Sequence, residues 1–133
     1  MSNRHADRAR ALVGTRFRPQ GRSQDGLDCV GLVIAAFDLP ADAARRDYRL
    51  RGAHQREIED GLSCYFRRIR KGLDRAGDVL LMSVGGDQIH LGIRTPTGFI
   101  HADARIGRVV ETPGSPQWPI IGAYRCRRTA KGS

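Results

Sequence analysis

The sequence predicts an α+β domain in which helices come first and an antiparallel sheet follows. Three observations carry this reading. Up to about residue 75 the apolar side chains recur at helical spacing or gather in one compact stretch, CVGLVIAAF. From Asp78 the period shortens to two, in five short β-rich segments separated by turn residues. The chain has 133 residues, 40% of them hydrophobic. That suits one domain able to bury a core without a disulfide or metal.

Taken in order, residues 3–13 are expected to form a first helix that Gly14 can end. Residues 15–27, TRFRPQGRSQDGL, read as a loop rich in Gly, Pro and polar side chains. Asp28 is a fair N-cap for the apolar stretch that follows, which is closed by Asp38-Leu39-Pro40. Residues 41–75 are expected to be helical and heavily charged, with Ile58, Leu62, Tyr65, Phe66 and Ile69 on one face. The segments DVLLMSV, QIHLGIR, GFIHA, RVVE and PIIGAYRCR then read as strands. Gly85-Gly86 and Thr95-Pro96-Thr97-Gly98 are the turn signals between them. This layout places helices against an antiparallel sheet of about five to six strands.

Composition excludes several classes. No apolar run reaches the ~20 residues needed to cross a bilayer. The first ten residues carry four charges and no apolar core, unlike an ordinary secretory signal, so synthesis in the cytoplasm is expected. Cys29, Cys64 and Cys126 are odd in number and form no CxxC pair, which argues against a disulfide framework or zinc knuckle. Cys64 and Cys126 are read as structural. The net charge is +9, and 21 of the 23 basic residues are arginine. Arginine pairs with carboxylate and phosphate, so an acidic polymer is a conceivable partner, although an arginine-rich genome explains the bias equally well. Without an aromatic ladder, specific nucleic-acid binding stays a minor reading.

The residues that carry chemistry are a cysteine and two histidines. Cys29 stands just after the N-cap, where unpaired backbone N–H groups and the helix dipole favour a thiolate. The same donors could hold the oxyanion of a tetrahedral intermediate. A cysteine on an apolar helix is ordinarily a small buried hydrophobe. The glycine-rich loop before this one changes the balance, because it lets a substrate backbone reach the helix terminus. Gly31 is read as leaving room for a substrate or the facing sheet.

His5 and His54 sit in charged segments and are expected to be solvated. His90 and His101 fall in strands, and parity brings them together. If Arg94 pairs with Phe99 across the Thr95–Gly98 loop, His101 lies opposite Gly92, one diagonal step from His90. Two histidines then converge on one side of a hairpin, which suits a base and a group that orients it.

The segment GTRFRPQGRSQDGLDCVGLV, followed by Ala76-Gly77-Asp78-Val79-Leu80, His90-Leu91-Gly92-Ile93 and Phe99-Ile100-His101-Ala102, resembles the NlpC-type, papain-like cell-wall peptidases in order and spacing. The short loop style is similar to the branch encoded with phage tails and gene-transfer particles. The resemblance implies a single domain over 1–133 with a core of about 12–127, and a nucleophile helix packed on the sheet. It implies hydrolysis of peptide bonds in the peptidoglycan stem, with Cys29 attacking, His90 as base and later acid, and His101 orienting His90.

The resemblance implies that Asp28 caps the helix and shapes the pocket. Val30 stands where many members have a serine that contacts substrate, and Phe17 stands near a common tyrosine. Gln20 or Gln24 could donate to the oxyanion, although a surface glutamine is the commoner case. No cofactor or metal is implied. Expected partners are the stem peptide and phage-tail or particle proteins, with delivery to the periplasm or cell wall. Two alternatives remain: a non-catalytic tail or wall-binding module, and an acyltransferase using the same Cys-His pair.

Overall fold

In the computed structural model, residues 4–19, 21–23, 25–40, 54–70, 72–85 and 88–127 are described. Three helices come first: α1 (Arg4–Ala11), α2 (Cys29–Ala36) and α3 (His54–Tyr65). Between α1 and α2 lie two short strands, β1 (Arg22–Ser23) and β2 (Gly26–Leu27). After α3 follow β3 (Phe66–Arg68), β4 (Val79–Ser83), β5 (Ile89–Arg94), β6 (Gly98–Asp103), β7 (Arg108–Pro113) and β8 (Ile120–Cys126). The last six form one antiparallel sheet in the order β3-β8-β4-β5-β6-β7. This is the α+β architecture read from the sequence.

α2 is apolar all round, and seven of its eight residues are buried. A helix of that kind belongs in a core. It packs on β5 and β6, with α1 beside it. Val79, Leu81, Ile89, Leu91, Ile93, Ile100, Ala102 and Val109 present the sheet's side of this main core. The alternate residues Leu80, Met82, Phe99 and Ala123 build a smaller cluster, covered by Trp118 and Ile120. Strand alternation thus gives the sheet two apolar faces.

The loop before α2 is held by glycines in contact. A Cβ on Gly31 would lie 2.0 Å from the Gly21 carbonyl oxygen, and one on Gly21 would lie 2.3 Å from that of Gly26. What Gly31 accommodates is therefore the preceding loop, rather than the facing sheet.

Two expectations need correction. The helix expected over 41–75 runs over His54–Tyr65, with 41–53 outside the described residues; Phe66–Arg68 is instead a strand paired with β8. Phe66 turns inward and meets Phe37 edge-on at 4.9 Å, while Arg67 and Arg68 face outward. Pairing with β8 overrides helical propensity here. Cys64, read as structural, is exposed on α3, whereas Cys126 is buried.

The start of β4 is tied to β8 by an ion pair whose carboxylate is buried and whose guanidinium is partly exposed. Arg125 donates from Nε and Nη2 to the two Asp78 oxygens at 2.9 and 2.8 Å, and the Arg75 N–H adds a third bond. Glu111 on β7 accepts from Arg10 of α1 and from Thr95 at the β5–β6 turn. Among the described residues, no helix is long and apolar enough to cross a membrane.

Candidate active site

Asp28 has extended backbone, and its Oδ1 accepts the Gly31 N–H at 2.8 Å. That is the N-cap geometry, which stabilises a helix by about 1 kcal/mol. Cys29 is therefore the first helical residue. Its side chain is 1% exposed and belongs to the main core cluster.

The hairpin of β5 and β6 has the register expected from its turn. Arg94 pairs with Phe99 and Ile93 with Ile100. At the turn, the Thr95 Oγ1 accepts the Gly98 N–H at 2.9 Å, and the Gly98 carbonyl accepts the Thr95 N–H at 2.8 Å. Described pairing between the strands is limited to those two couples.

On the same parity, the His90 and His101 rings meet, with His90 Nε2 2.9 Å from His101 Nδ1 and the ring planes at 87°. His101 Nε2 lies 3.3 Å from Thr112 Oγ1. The network allows a consistent proton assignment. If His90 donates through Nε2–H to His101 Nδ1, His101 carries its proton on Nε2 and donates it to Thr112. The Nδ1 lone pair of His90 is then available to accept a proton.

Sequence reasoning missed the frame around this pair. Trp118 stands edge-on to both rings, at 5.6 Å from His90 and 5.7 Å from His101. Phe99 stacks on His101 at 4.8 Å. Burial pushes the His90 pKa down to about 4, helped by the His101 ring and opposed by Asp103. Burial also lowers that of His101, again against Asp103. Both imidazoles are therefore neutral near pH 7, as a general base must be. Asp103 was within reach of the parity argument, since extending the Arg94–Phe99 register puts it opposite His90. Thr112 pairs with Phe99 across β6 and β7, a register the sequence alone did not supply.

The remaining candidates fall in different places. Val30 is 5% exposed and packed in the core, and Phe17 is partly buried against that core. Gln20 and Gln24 lie outside the described residues. The hydrogen bond described for the His90 ring runs to His101. His90 and His101 line a cavity of about 860 Å³ whose wall includes Trp118 and whose lining does not include Cys29. Among the described residues, no cluster of three or more His, Cys, Asp or Glu could hold a metal.

A capped thiol-bearing helix lying on an antiparallel sheet that carries paired histidines defines a papain-like architecture. More narrowly, the fold is that of the NlpC/P60 domains. The structure superposes on NlpC2 from Trichomonas vaginalis with a TM-score of 0.67 and 20% identity, covering 92% of this chain and 45% of that one. It superposes on the P60 domain of the M. avium subspecies paratuberculosis antigen MAP1204 with a TM-score of 0.62 and 21% identity, covering 95% and 94%. In sequence, the chain is 29% identical over 108 residues to the murein DD-endopeptidase MepS/murein LD-carboxypeptidase of Escherichia coli K12, covering 79% of this chain. The same enzyme from two other E. coli strains matches equally. The chain spans about half the length of these curated relatives. No protein-family model matches it.

Proposed function

We propose that this chain is a cysteine endopeptidase that hydrolyses peptide bonds in the peptidoglycan stem, with Cys29 as nucleophile, His90 as base and His101 as its orienter. The observation that carries the reading is the His90–His101 hydrogen bond at 2.9 Å. In the tautomer in which His90 Nε2 donates to His101, the Nδ1 of His90 is the proton acceptor. A non-catalytic module has no need of such a pair. The NlpC/P60 fold and the similarity to murein peptidases support the same reading.

In this reaction the Cys29 thiol gives its proton to His90 Nδ1, and the sulfur attacks the scissile carbonyl carbon. Backbone N–H groups at the start of α2 hold the oxyanion, with Asp28 fixing that turn. The tetrahedral intermediate collapses as His90 returns the proton to the departing amine, leaving a thioester. Water then loses a proton to His90, attacks the thioester, and releases the acid and the thiol. An acyltransferase would differ only in replacing that water with another nucleophile.

Association with a phage tail or gene-transfer particle, and delivery to the periplasm or wall, belong to the same proposal. The support for the particle association is the short loop style of the sequence. Fractionation of producing cells and particles tests that part.

The test of the activity is digestion of purified sacculi and of a soluble stem tetrapeptide, read by mass spectrometry. New amino and carboxyl termini with the wild type, absent with Cys29→Ala and His90→Ala, are expected. Intact substrates together with an unreactive Cys29 would leave the wall-binding module as the better reading.

A further inference from the structure

The cavity on the histidine side reaches well beyond the two rings. Its lining includes His90, His101 and Trp118, together with Asp103 at the end of β6 and Arg105 and Ile106 in the β6–β7 turn. The two charged residues of the lining are differently engaged. Asp103 is bound into its own turn, its Oδ1 accepting the N–H groups of Arg105 at 2.8 Å and Ile106 at 3.0 Å. Arg105 is exposed, and among the described residues its guanidinium forms no ion pair. Ile106, next to it, is a large apolar side chain left 61% exposed. A cation, an exposed apolar side chain and an aromatic ring therefore line the same cavity as His90.

We propose that this cavity receives the half of the substrate that departs on cleavage, and that Arg105 selects a leaving group bearing a free carboxylate beside an aliphatic chain. The proposal rests on the peptidase reading for its direction. The proton that releases the amine comes from His90, so the departing half lies on the histidine side, while the acyl half stays on Cys29 at the start of α2. Guanidinium and carboxylate match as paired donors and acceptors, which gives Arg105 a preference for an acid over its amide. Arg105 is thus a specificity residue of the departing side, not a proton-transfer group.

Trp118 is the sole tryptophan of the chain, so its fluorescence reports occupancy of this cavity directly. The experiment titrates the full chain, wild type and Arg105→Gln, with D-leucine and with D-leucinamide. These probes share an ammonium group and an aliphatic side chain and differ only in the carboxylate. The expected result is that D-leucine binds the wild type about fivefold more tightly than the amide, as one charge-assisted contact at an exposed rim supplies. In Arg105→Gln that ratio should fall to about one. Equal binding of acid and amide by the wild type, or a preference that survives Arg105→Gln, overturns the proposal.

A parallel cleavage assay uses stem peptides ending in a free or an amidated carboxyl group one residue after the scissile bond. A preference for the acid that disappears in Arg105→Gln supports the assignment again. Acid-selective binding with neither these peptides nor sacculi cleaved would leave Arg105 as a carboxylate-binding residue and refute the peptidase reading, so the two failures are distinguishable.

Discussion

Acidification from pH 7 to pH 4.5 puts protons on imidazoles that the fold keeps neutral. For His90 the size of the effect follows from burial. Its folded-state pKa is about 4, against about 6.5 for an unfolded histidine. A group with a depressed folded pKa binds protons more readily when unfolded. Its stabilising contribution is therefore present above the unfolded pKa and is lost as pH falls toward the folded one. At pH 4.5 protonation favours the unfolded chain by a factor of about 100 and the folded chain by only about 1.3, which amounts to roughly 2.5 kcal/mol. At pH 7 the same difference is about 0.2 kcal/mol.

The assay is urea unfolding followed by circular dichroism at both pH values, because Trp118 fluorescence would respond to the charge on the neighbouring rings. His90→Gln removes this titration while keeping an N–H donor toward His101. The wild type should lose about 2 kcal/mol more than His90→Gln between pH 7 and 4.5, with Asp103 trimming the difference and common carboxylate effects cancelling. Losses equal within about 0.5 kcal/mol would refute the burial argument for His90.

Other expected outcomes follow from the same geometry. Gly31→Ala should displace the Gly21 loop from α2, since its Cβ would meet a backbone oxygen at 2.0 Å. The measured result should be a stability loss of about 2 kcal/mol or more together with reduced turnover. Asp78→Ala removes the buried carboxylate that accepts from the partly exposed Arg125 and from the Arg75 N–H, and should cost about 1–3 kcal/mol in denaturant unfolding. Thr112→Val removes the hydroxyl partner of His101 Nε2, so kcat should fall severalfold with KM little changed. A variant that raises only KM would place Thr112 on the substrate instead.

The parts of the fold legible in the sequence were those set by local chemistry. Asp28 capped α2 because its side chain reaches its own helix. The turn from Thr95 to Gly98 set the β5–β6 register, and the register brought the histidines together through parity alone. What escaped depends on distant contacts. β3 forms because β8 offers an edge to Phe66–Arg68, and nothing within 54–70 announces that edge. Trp118 lies on the connection before β8, so its place over the rings depends on the path of the chain after β7. Gly31 looked like clearance for a substrate or the sheet, and only the folded loop identifies Gly21 as its neighbour.

The most direct test of the Cys29–His90 pair is the pH dependence of alkylation at Cys29, measured by peptide mass spectrometry in Cys64→Ser and in Cys64→Ser/His90→Ala. Removing Cys64 takes away the exposed competing thiol. With His90 as base, Cys29 should react between pH 5 and 7, where an ordinary thiol of pKa about 8.5 is almost wholly protonated. That reactivity should disappear in the His90→Ala background. A Cys29 that reacts only as pH approaches 8.5, at the same rate with and without His90, would contradict the pairing of thiol and base.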